Sequence, residues 1–359
     1  MRNMIRPLSP ASLPASLQAL PPAQARFCLN TLRFIEKDLV VSLAGSRVLV
    51  GFSGGADSTA LLLCLHCLAP KCNFTVLAAH LDHKLRPSSG KESALCGAFC
   101  DGLGIEYIME GHDIAALSGT SKRGIEDAAR EERYVFFAKT ARERNCDWIV
   151  TGHNANDLAE DILMRLIRGT GWPGLSGMVA LDENRKLLRP LLLTPRVDIE
   201  AFLDALKLGW IEDESNSDAG YFRNRVRNVI LPMFLEENPS FLEQASGLWK
   251  LGRIDAAWFN TILSGEFVQL FQQKPHEETG TITAFLMPRE RLTSLPKALR
   301  LRAYKKALAM LGPGQARLDT LLALDASMET GGEKTIHQFP GGKLALVDKQ
   351  GIHWRPGIE

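Results

Sequence analysis

The chain has 359 residues, and at roughly 150 residues per domain this length predicts two or three domains. Hydrophobic residues make up 45% of the chain and charged residues 23%, which indicates a full core and excludes a collagen-like, disordered or coiled-coil protein. Lys and Arg total 42 against 41 for Asp and Glu, so the net charge of +1 gives no molecule-wide field for a polyanionic partner, although local basic clusters can still attract one.

Cysteine content and the N-terminal residues predict the compartment. The 7 cysteines are an odd number in a long chain, which is typical of free thiols in a reducing compartment. Arg2 and Arg6 open the chain, but the prolines that follow interrupt any apolar segment of a signal peptide. The longest apolar stretch, around residues 60–65, is far shorter than the ~20 residues that a membrane helix needs. We therefore expect a cytoplasmic protein without a membrane segment.

Strands alternate with helices in the first part of the chain. After a loose extension at residues 1–21, the apolar spacing predicts a helix at 22–41. Short apolar runs then predict strands at 47–52, 73–80, 105–109 and 147–151. Helical patterns follow these runs at 58–68, 89–103, 124–145 and 156–168. This alternation is typical of parallel βαβ units, so the predicted fold class is α/β with a doubly wound parallel sheet.

The rest of the chain predicts a second, smaller and mainly helical domain. Helical patterns cover residues 228–263, 288–311 and 316–327, with few strands between them. Alternating apolar residues at 334–354 predict a small β-hairpin cap around Pro340. The predicted organisation is an extension at 1–21, a first domain at 22–220 and a second domain at 221–359.

The strongest local signal for chemistry is the loop at residues 53–58, which reads Ser-Gly-Gly-Ala-Asp-Ser between a predicted strand and a predicted helix. Adjacent glycines let the backbone approach a phosphate, and the helix N-terminus behind them presents unpaired N–H groups. The loop lacks the Gly-Lys-Ser/Thr of a Walker P-loop, and the chain has no Gly-x-Gly-x-x-Gly. Asp57 repels anions unless a metal ion bridges it to the phosphates. The alternative is a simple turn in which Asp57 and Ser58 cap the helix.

The loop resembles the PP-loop of the N-type ATP pyrophosphatases, which cleave ATP between the α and β phosphates and adenylate a substrate. Further blocks extend the resemblance over residues 47–235 and are similar in their order to the tRNA(Ile)-lysidine synthase family. One of these blocks in the family usually reads His-His-x-Asp-Asp-Gln-x-Glu-Thr. This chain agrees with that pattern at His153, Asp157 and Glu160 and departs from it at Asn154, Asn156, Leu158 and Asp161. The other blocks are His80-Leu-Asp-His83, Gly124-Ile-Glu126, Ala129-Arg130, Arg168-Gly-Thr-Gly171, Arg189-Pro-Leu191, Ile211-Glu-Asp213 and Arg223-Asn224 with Arg227.

The resemblance implies a fold, a reaction and partners. The fold is that of the adenine nucleotide alpha hydrolases, followed by a tRNA-contacting domain. The reaction joins free L-lysine to C2 of the wobble cytidine of tRNA(Ile) with a CAU anticodon through an adenylated cytidine. It uses ATP with Mg²⁺, gives lysidine, and changes codon reading from AUG to AUA. The sequence does not indicate an oligomeric state.

Site residues follow from the resemblance and from the predicted elements. Ser53, Asp82 and His153 follow the carboxyl ends of three predicted strands, where open parallel sheets bind ligands. Asp157 and Glu160 have i,i+3 spacing at a helix start and so point to one side, although first-turn acids also favour the helix dipole alone. We expect Asp57, Asp157, Glu160 and Arg130 to be catalytic, with Asp57 and Asp157 on the metal. Nucleotide contacts are expected from Ser53, Gly54, Gly55, Ala56, Asp57, Ser58, His80, Asp82 and His153, and tRNA or substrate contacts from Arg223, Arg227, Arg300, Arg302, Lys305 and Lys306.

Several alternatives remain open on the sequence. A tRNA thiolation enzyme of the same superfamily would use Cys64 and Cys67, but their place in an apolar helix favours packing. A non-catalytic RNA-binding protein would not need the intact loop. The basic run at residues 297–306 is as typical of a solvated helix face as of an RNA contact. The histidines of the 80–83 block are not spaced as a shared metal site.

Overall fold

The structure is a computed structural model and describes residues 13–82, 89–112, 125–212, 222–270, 272–275, 282–330 and 334–356. The chain divides into two compact units, which are Met1–Thr170 with Leu175–Trp249, and Gly171–Gly174 with Lys250–Glu359. Some predictions lie outside the described residues. They concern most of the predicted extension, the proposed boundary at residue 220, and the motif residues His83, Gly124 and Asp213. Among the described residues, no helix has the length and apolar character needed to cross a membrane.

The first unit is built on a six-stranded sheet with the order β3-β2-β1-β4-β6-β5. All neighbouring strands are parallel except β5 and β6, so the predicted doubly wound sheet is confirmed. In β1, Val48 and Val50 face one core while Leu49 faces the other, and all three are fully buried. The strands are β1 (Arg47–Gly51), β2 (Thr75–Asp82), β3 (Glu106–Gly111), β4 (Trp148–Val150), β5 (Leu181–Asp182) and β6 (Leu187–Leu188).

Helices cover both faces of this sheet and lie close to the predicted ranges. The predicted helix at 22–41 differs, because its α-helical part ends at Arg33 and a π-helical turn, Phe34–Asp38, follows. The helices are α1 (Pro22–Arg33), α2 (Ala56–Cys72), α3 (Ser89–Leu103), α4 (Ile125–Glu143), α5 (Ala155–Ile167), α6 (Arg196–Ala205), α7 (Phe222–Arg225), the π-helical turn Val226–Ile230, α8 (Leu231–Glu237) and α9 (Phe241–Leu270).

The second unit begins within α9 and has more strand than the sequence predicts. Its helices are α10 (Arg289–Ser294), α11 (Lys297–Met310) and α12 (Leu318–Thr330). They accompany a five-stranded antiparallel sheet, β7-β8-β11-β10-β9, rather than a hairpin alone. Its core is centred on Trp354 and Tyr304, both fully buried. The strands are β7 (Gln272–Pro275), β8 (Ile282–Pro288), β9 (Thr335–Phe339), β10 (Lys343–Val347) and β11 (Gly351–Pro356).

Candidate active site

The candidate site lies where the strand order of the first sheet reverses. Strand β1 is paired on one side with β2 and on the other with β4, so the connections from β1 and β4 leave the sheet in opposite directions. The crevice at the carboxyl ends of such a strand pair is the usual ligand site of open α/β sheets. Here β1 leads into the loop of residues 53–58, and β4 leads into residues 151–157 at the start of α5.

The loop of residues 53–58 is braced by its own side chains. The hydroxyl oxygens of Ser53 and Ser58 are 3.1 Å apart, and Ser58 donates to the carbonyl of Gly55 at 3.1 Å. Gly54 has a φ of +78°, and a Cβ there would lie 2.6 Å from the Cδ1 atom of Ile211. Only glycine fits this position without displacing its neighbours. The loop therefore leads directly into the N-terminus of α2, which begins at Ala56 and whose first amides lack intrahelical partners.

The connection after β4 lies directly against this loop. A Cβ on Gly152 would be 2.9 Å from the carbonyl carbon of Asp57 and 3.1 Å from the amide nitrogen of Ser58. The neighbouring atoms are backbone atoms and cannot rotate away as a flexible side chain can. The absence of a side chain at Gly152 thus lets the two connections meet at van der Waals distance.

Asn154 joins Asp57 to the acidic start of α5. It is 2% exposed and caps α5, with its Oδ1 accepting from the amides of Asn156 at 2.9 Å and Asp157 at 3.1 Å. Its Nδ2 donates to Oδ1 of Asp57 at 2.8 Å, and its backbone amide donates to Oδ2 of Asp157 at 3.0 Å. One residue therefore fixes two carboxylates that come from different connections.

Asp157 and Glu160 form an ion-pair cluster with Arg223 and Arg227. Arg223 donates to Asp157 at 3.0 Å and to Glu160 at 3.2 Å. Arg227 donates to Asp157 at 2.9 Å and to Glu160 at 2.6 and 3.0 Å. The side chain of Glu160 is 1% exposed and that of Asp157 13%, so the cluster is largely shielded from water. Burial opposes ionisation of Asp157, but neighbouring charges, Arg223 and Arg227 among them, bring its pKa below the ordinary value.

This pairing changes how the four residues are understood. From the sequence, the two acids are expected to be catalytic, with Asp157 on the metal, and the two arginines are expected to contact tRNA or substrate. The structure brings all four into one cluster, because the arginines stand four residues apart on successive turns of α7 and the π-helical turn. Both oxygens of Asp157 already accept hydrogen bonds, Oδ1 from the arginines and Oδ2 from Asn154.

Arg196 is a residue of the site that the sequence analysis missed. Its Nη1 lies 3.6 Å from Oδ2 of Asp57, and its Nε donates to Glu200 at 2.8 Å. Its backbone amide donates to the side chain of Asn156 at 3.1 Å, which ties α6 to α5. Burial raises the pKa of Asp57, and the charge of Arg196 opposes that rise. Pro195, directly before Arg196, could have indicated the start of this helix, but no local pattern connects Arg196 to Asp57.

His80 was expected to contact the nucleotide, and the structure corrects this. The ring is buried, with Nδ1 2.8 Å from the carbonyl oxygen of Phe52 and Nε2 3.0 Å from the hydroxyl of Ser93. A carbonyl only accepts, so Nδ1 carries the proton and both nitrogens are engaged inside the protein. His80 therefore supports the residue just before the loop rather than touching a ligand. Asp82 lies at the end of β2 and accepts from Ser89 at 3.1 Å.

His153 lies between the acid pair and β4. Its Nδ1 is 2.9 Å from the hydroxyl of Thr151. Burial lowers the pKa of His153 to about 3, and nearby arginines, among them Arg189 and Arg130, act in the same direction. At neutral pH the side chain is therefore a neutral imidazole, able to form hydrogen bonds but not to supply positive charge to a phosphate.

Comparison with known proteins identifies the family. Residues 29–234 match the family model of the PP-loop domain. The tRNA(Ile)-lysidine synthase of Nitratidesulfovibrio vulgaris is 42% identical over 317 residues, 86% of this chain and 91% of that protein. That of Geobacter sulfurreducens is 31% identical over 93% of this chain and 68% of its own length. The chain belongs to the tRNA(Ile)-lysidine synthase family.

A solved structure supports the fold of this family member independently. A U34-tRNA thiolase from Methanococcus maripaludis, solved with its 4Fe-4S cluster, aligns with a TM-score of 0.52 at 21% identity. The alignment covers 64% of this chain and 80% of the thiolase chain. At this identity the comparison bears on the fold alone.

Cys64 and Cys67 of this family member are packing residues in the structure. Cys64 and Cys67 are fully buried in α2, and burial raises the pKa of both thiols, that of Cys67 to about 12. All the cysteines are free thiols. Among the described residues, no group of three or more His, Cys, Asp or Glu side chains is arranged to hold a metal ion. Cys64 and Cys67 thus lack the accessible thiolates that sulfur chemistry needs.

The basic residues of the second unit separate into buried and exposed groups. Arg300 is 6% exposed and donates to both oxygens of Asp325, at 2.8 and 2.9 Å. Its expected role on the tRNA is therefore wrong, because its guanidinium is part of the core. Arg302 stacks on Phe259, with its Cζ 3.4 Å from the ring centroid. Lys305 and Lys306 are exposed on α11 and agree with the expected surface position.

Proposed function

We propose that this chain joins free L-lysine to C2 of the wobble cytidine of tRNA(Ile) with a CAU anticodon, and that it converts ATP to AMP and pyrophosphate. The observation that carries the proposal is the link through Asn154 between Asp57 of the ATP loop and the cluster of Asp157 and Glu160. A ligase that activates one substrate and then joins a second needs both sites within reach of one reacting atom. The identity of 42% to a relative of this name supports the same reaction.

In the first step, the cytosine O2 attacks the α-phosphate of ATP and pyrophosphate leaves. The loop of residues 53–58 supports the phosphates through the N-terminus of α2, whose amides and dipole favour negative charge. The loop is already braced by Ser53 and Ser58, so its donors need little reorganisation as charge develops. His153 contributes hydrogen bonds as a neutral group.

Asp57 fits the Mg²⁺ that usually accompanies ATP. Mg²⁺ is commonly held by one or two carboxylates together with substrate phosphates, and Asp57 stands at the first turn behind the loop. The second expected ligand, Asp157, fits less well, because its Oδ1 accepts from the two arginines and its Oδ2 from the amide of Asn154. We therefore assign the cation to Asp57, where it would offset phosphate charge.

In the second step, the lysine ε-amine attacks C2 of the adenylated cytidine and AMP leaves. An amine with an ordinary pKa near 10.4 must lose a proton before attack. Asp157 and Glu160 are the anionic groups that would orient the ammonium and accept its proton. The ammonium would first have to displace hydrogen bonds that Arg223 and Arg227 donate to these carboxylates in the structure. Arg223 and Arg227 help keep the pKa of Asp157 below its ordinary value and offer positive charge to phosphate or carboxylate groups.

The test is AMP formation from labelled ATP with a tRNA(Ile) transcript that carries the CAU anticodon. We expect AMP and a tRNA heavier by the residue mass of lysine only when lysine, ATP and this transcript are all present. A transcript with a GAU anticodon is the matched control and should give neither product. Lysine-independent sulfur transfer, or RNA binding without ATP cleavage, would contradict the proposal and favour the thiolation or the non-catalytic alternative.

A further inference from the structure

Three arginines of the first unit converge on one tyrosine. The Cζ atom of Arg130 lies 5.4 Å from the ring centroid of Tyr134, and that of Arg185 lies 5.6 Å from the same centroid. Arg189 donates from Nη2 to the hydroxyl of Tyr134 at 3.3 Å. These distances are within the range of cation–π contacts and hydrogen bonds. We call Tyr134 with Arg130, Arg185 and Arg189 the Tyr134 cluster.

The Tyr134 cluster combines one buried arginine with two exposed ones. Arg189 is 5% exposed and is fixed by donation from Nη1 to the carbonyl of Val179 at 2.6 Å. Tyr134 is half-buried and packs against the core that contains Phe136. Arg130 and Arg185, by contrast, are exposed, the side chain of Arg185 to 65%. Buried Arg189 thus fixes the ring of Tyr134, and this ring positions the exposed guanidinium groups of Arg130 and Arg185.

The positive charges of Arg130 and Arg185 lie beside the same ring and repel each other. An anion bound next to both guanidinium groups would offset this repulsion. The ion pair that the structure gives Arg185 is a long one, from Nε to Asp182 at 3.9 Å, and at an exposed site such a pair contributes little. Guanidinium groups bind phosphate oxygens in a bidentate manner. We infer that the Tyr134 cluster is a binding site for backbone phosphates of the tRNA, an inference that rests on the proposed function for the identity of the RNA.

Arg185 and Arg189 of the Tyr134 cluster lie at opposite ends of β6. Arg185 lies in the turn before β6, at the amino end of that strand, whereas Arg189 follows its carboxyl end. The loop of residues 53–58 follows the carboxyl end of β1 in the same sheet. Arg185 and Arg189 are thus separated only by a strand of two residues, and Arg185 lies on the far side of that strand from the ligand edge.

The test measures binding and does not depend on turnover. In filter binding of the CAU-anticodon transcript, Arg185→Gln should weaken affinity several-fold and reduce the magnitude of the salt slope by about 0.9 units, the value for one phosphate contact. Arg142→Gln is the matched control, because it removes the same charge from an exposed position on α4, where Arg142 donates to the carbonyl of Ala138. This control should leave affinity and slope unchanged, and Tyr134→Leu should reproduce the Arg185→Gln result.

Two results would overturn the inference. Equal salt slopes for Arg185→Gln, Arg142→Gln and the wild type would show that the cluster is surface packing only. A weaker ATP affinity with an unchanged tRNA slope would assign the cluster to the nucleotide instead. If the wild type fails to form lysine-dependent AMP, the proposed function fails, but the binding comparison still decides whether these arginines hold RNA phosphates.

Discussion

Asn154 uses a side-chain amide and a backbone amide to hold two carboxylates in place. The oxygen of its side chain caps α5, while its nitrogen reaches Asp57 on the ATP loop. These two tasks can be separated by substitution, because a serine is long enough to cap a helix but too short to span to Asp57. The residue thus offers a way to distinguish local helix stability from coupling between the two carboxylates.

We expect Asn154→Ala to lower the free energy of unfolding by about 1 kcal/mol, the usual cost of a lost cap, and to slow AMP formation. Asn154→Ser should recover most of that stability without recovering the rate, because Asp57 still lacks its hydrogen-bond donor. Thermal denaturation and single-turnover kinetics on the same preparations measure the two effects. Recovery of both by serine would show that Asn154 is a cap and nothing more.

His153 predicts a specific pH dependence of stability. Its pKa is about 3 in the folded chain and near 6.5 when unfolded, so between these values the unfolded state binds more protons. Stability is therefore lost as the pH falls below about 6.5, with a slope from this residue of up to about 1.4 kcal/mol per pH unit. His153→Gln should lose less stability than the wild type between pH 6.5 and 4.5 in urea titrations. Parallel curves for the two proteins would contradict this assignment.

The sequence identified acids of the site more readily than their partners. Asp157 and Glu160 share a short helical spacing that can be recognised without a structure. Their partners Arg223 and Arg227 are distant in the chain, and only the packing of the π-helical turn against α5 brings the charges together. Arg196 was missed for the same reason, since nothing local connects it to Asp57.

At the scale of elements, the contact between two strand-to-helix connections sets the geometry of the site. Gly152 makes this contact possible. We expect Gly152→Ala to push the connection after β4 away from the backbone of Asp57 and Ser58. Such overpacking typically costs 1–3 kcal/mol, and part of it should appear as an ATP affinity reduced by about tenfold. Calorimetric titration with ATP measures the effect. Gly90→Ala, where a Cβ meets no atom within 4 Å, is the control and should bind ATP normally.

Long elements with a clear period were predicted from the sequence, and very short ones were not. The predicted range of α3 coincides with the observed Ser89–Leu103, because its apolar positions repeat over several turns. Strands β5 and β6 have two residues each, too few for any alternation to be recognised. The second sheet was underestimated for a different reason: β8 carries a mostly apolar run, Ile-Thr-Ala-Phe-Leu-Met-Pro, that periodicity alone does not distinguish from a helix.

At the scale of the whole molecule, the basic residues of α11 show why counting charges overestimates an RNA surface. Arg300 is enclosed with Asp325, which is fully buried and also accepts from Tyr304 at 3.0 Å. We expect Arg300→Ala to destabilise the second unit by about 3–5 kcal/mol, because it removes the guanidinium that donates to both oxygens of a buried carboxylate. The double change of Lys305 and Lys306 to Ala should leave stability within about 0.5 kcal/mol.

The same variants separate folding from RNA binding. If the exposed lysines contact phosphates, their removal should reduce the magnitude of the tRNA salt slope by up to about two units. Denaturant titration and filter binding, carried out on both variants, measure stability and slope together. A stable Arg300→Ala protein with a reduced slope would contradict the buried assignment.

The buried amine of Lys343 allows opening of the second unit to be measured by chemical labelling. Its side chain is 1% exposed, and its ammonium donates to the backbone carbonyls of Leu308, Gly312 and Gly314 at 2.9 to 3.2 Å. An amine-acylating reagent therefore reaches Lys305 and Lys306 at once but reaches Lys343 only when this unit opens. The labelling rate of Lys343, followed by peptide mass spectrometry, reports how often the native unit opens, without denaturant and without RNA.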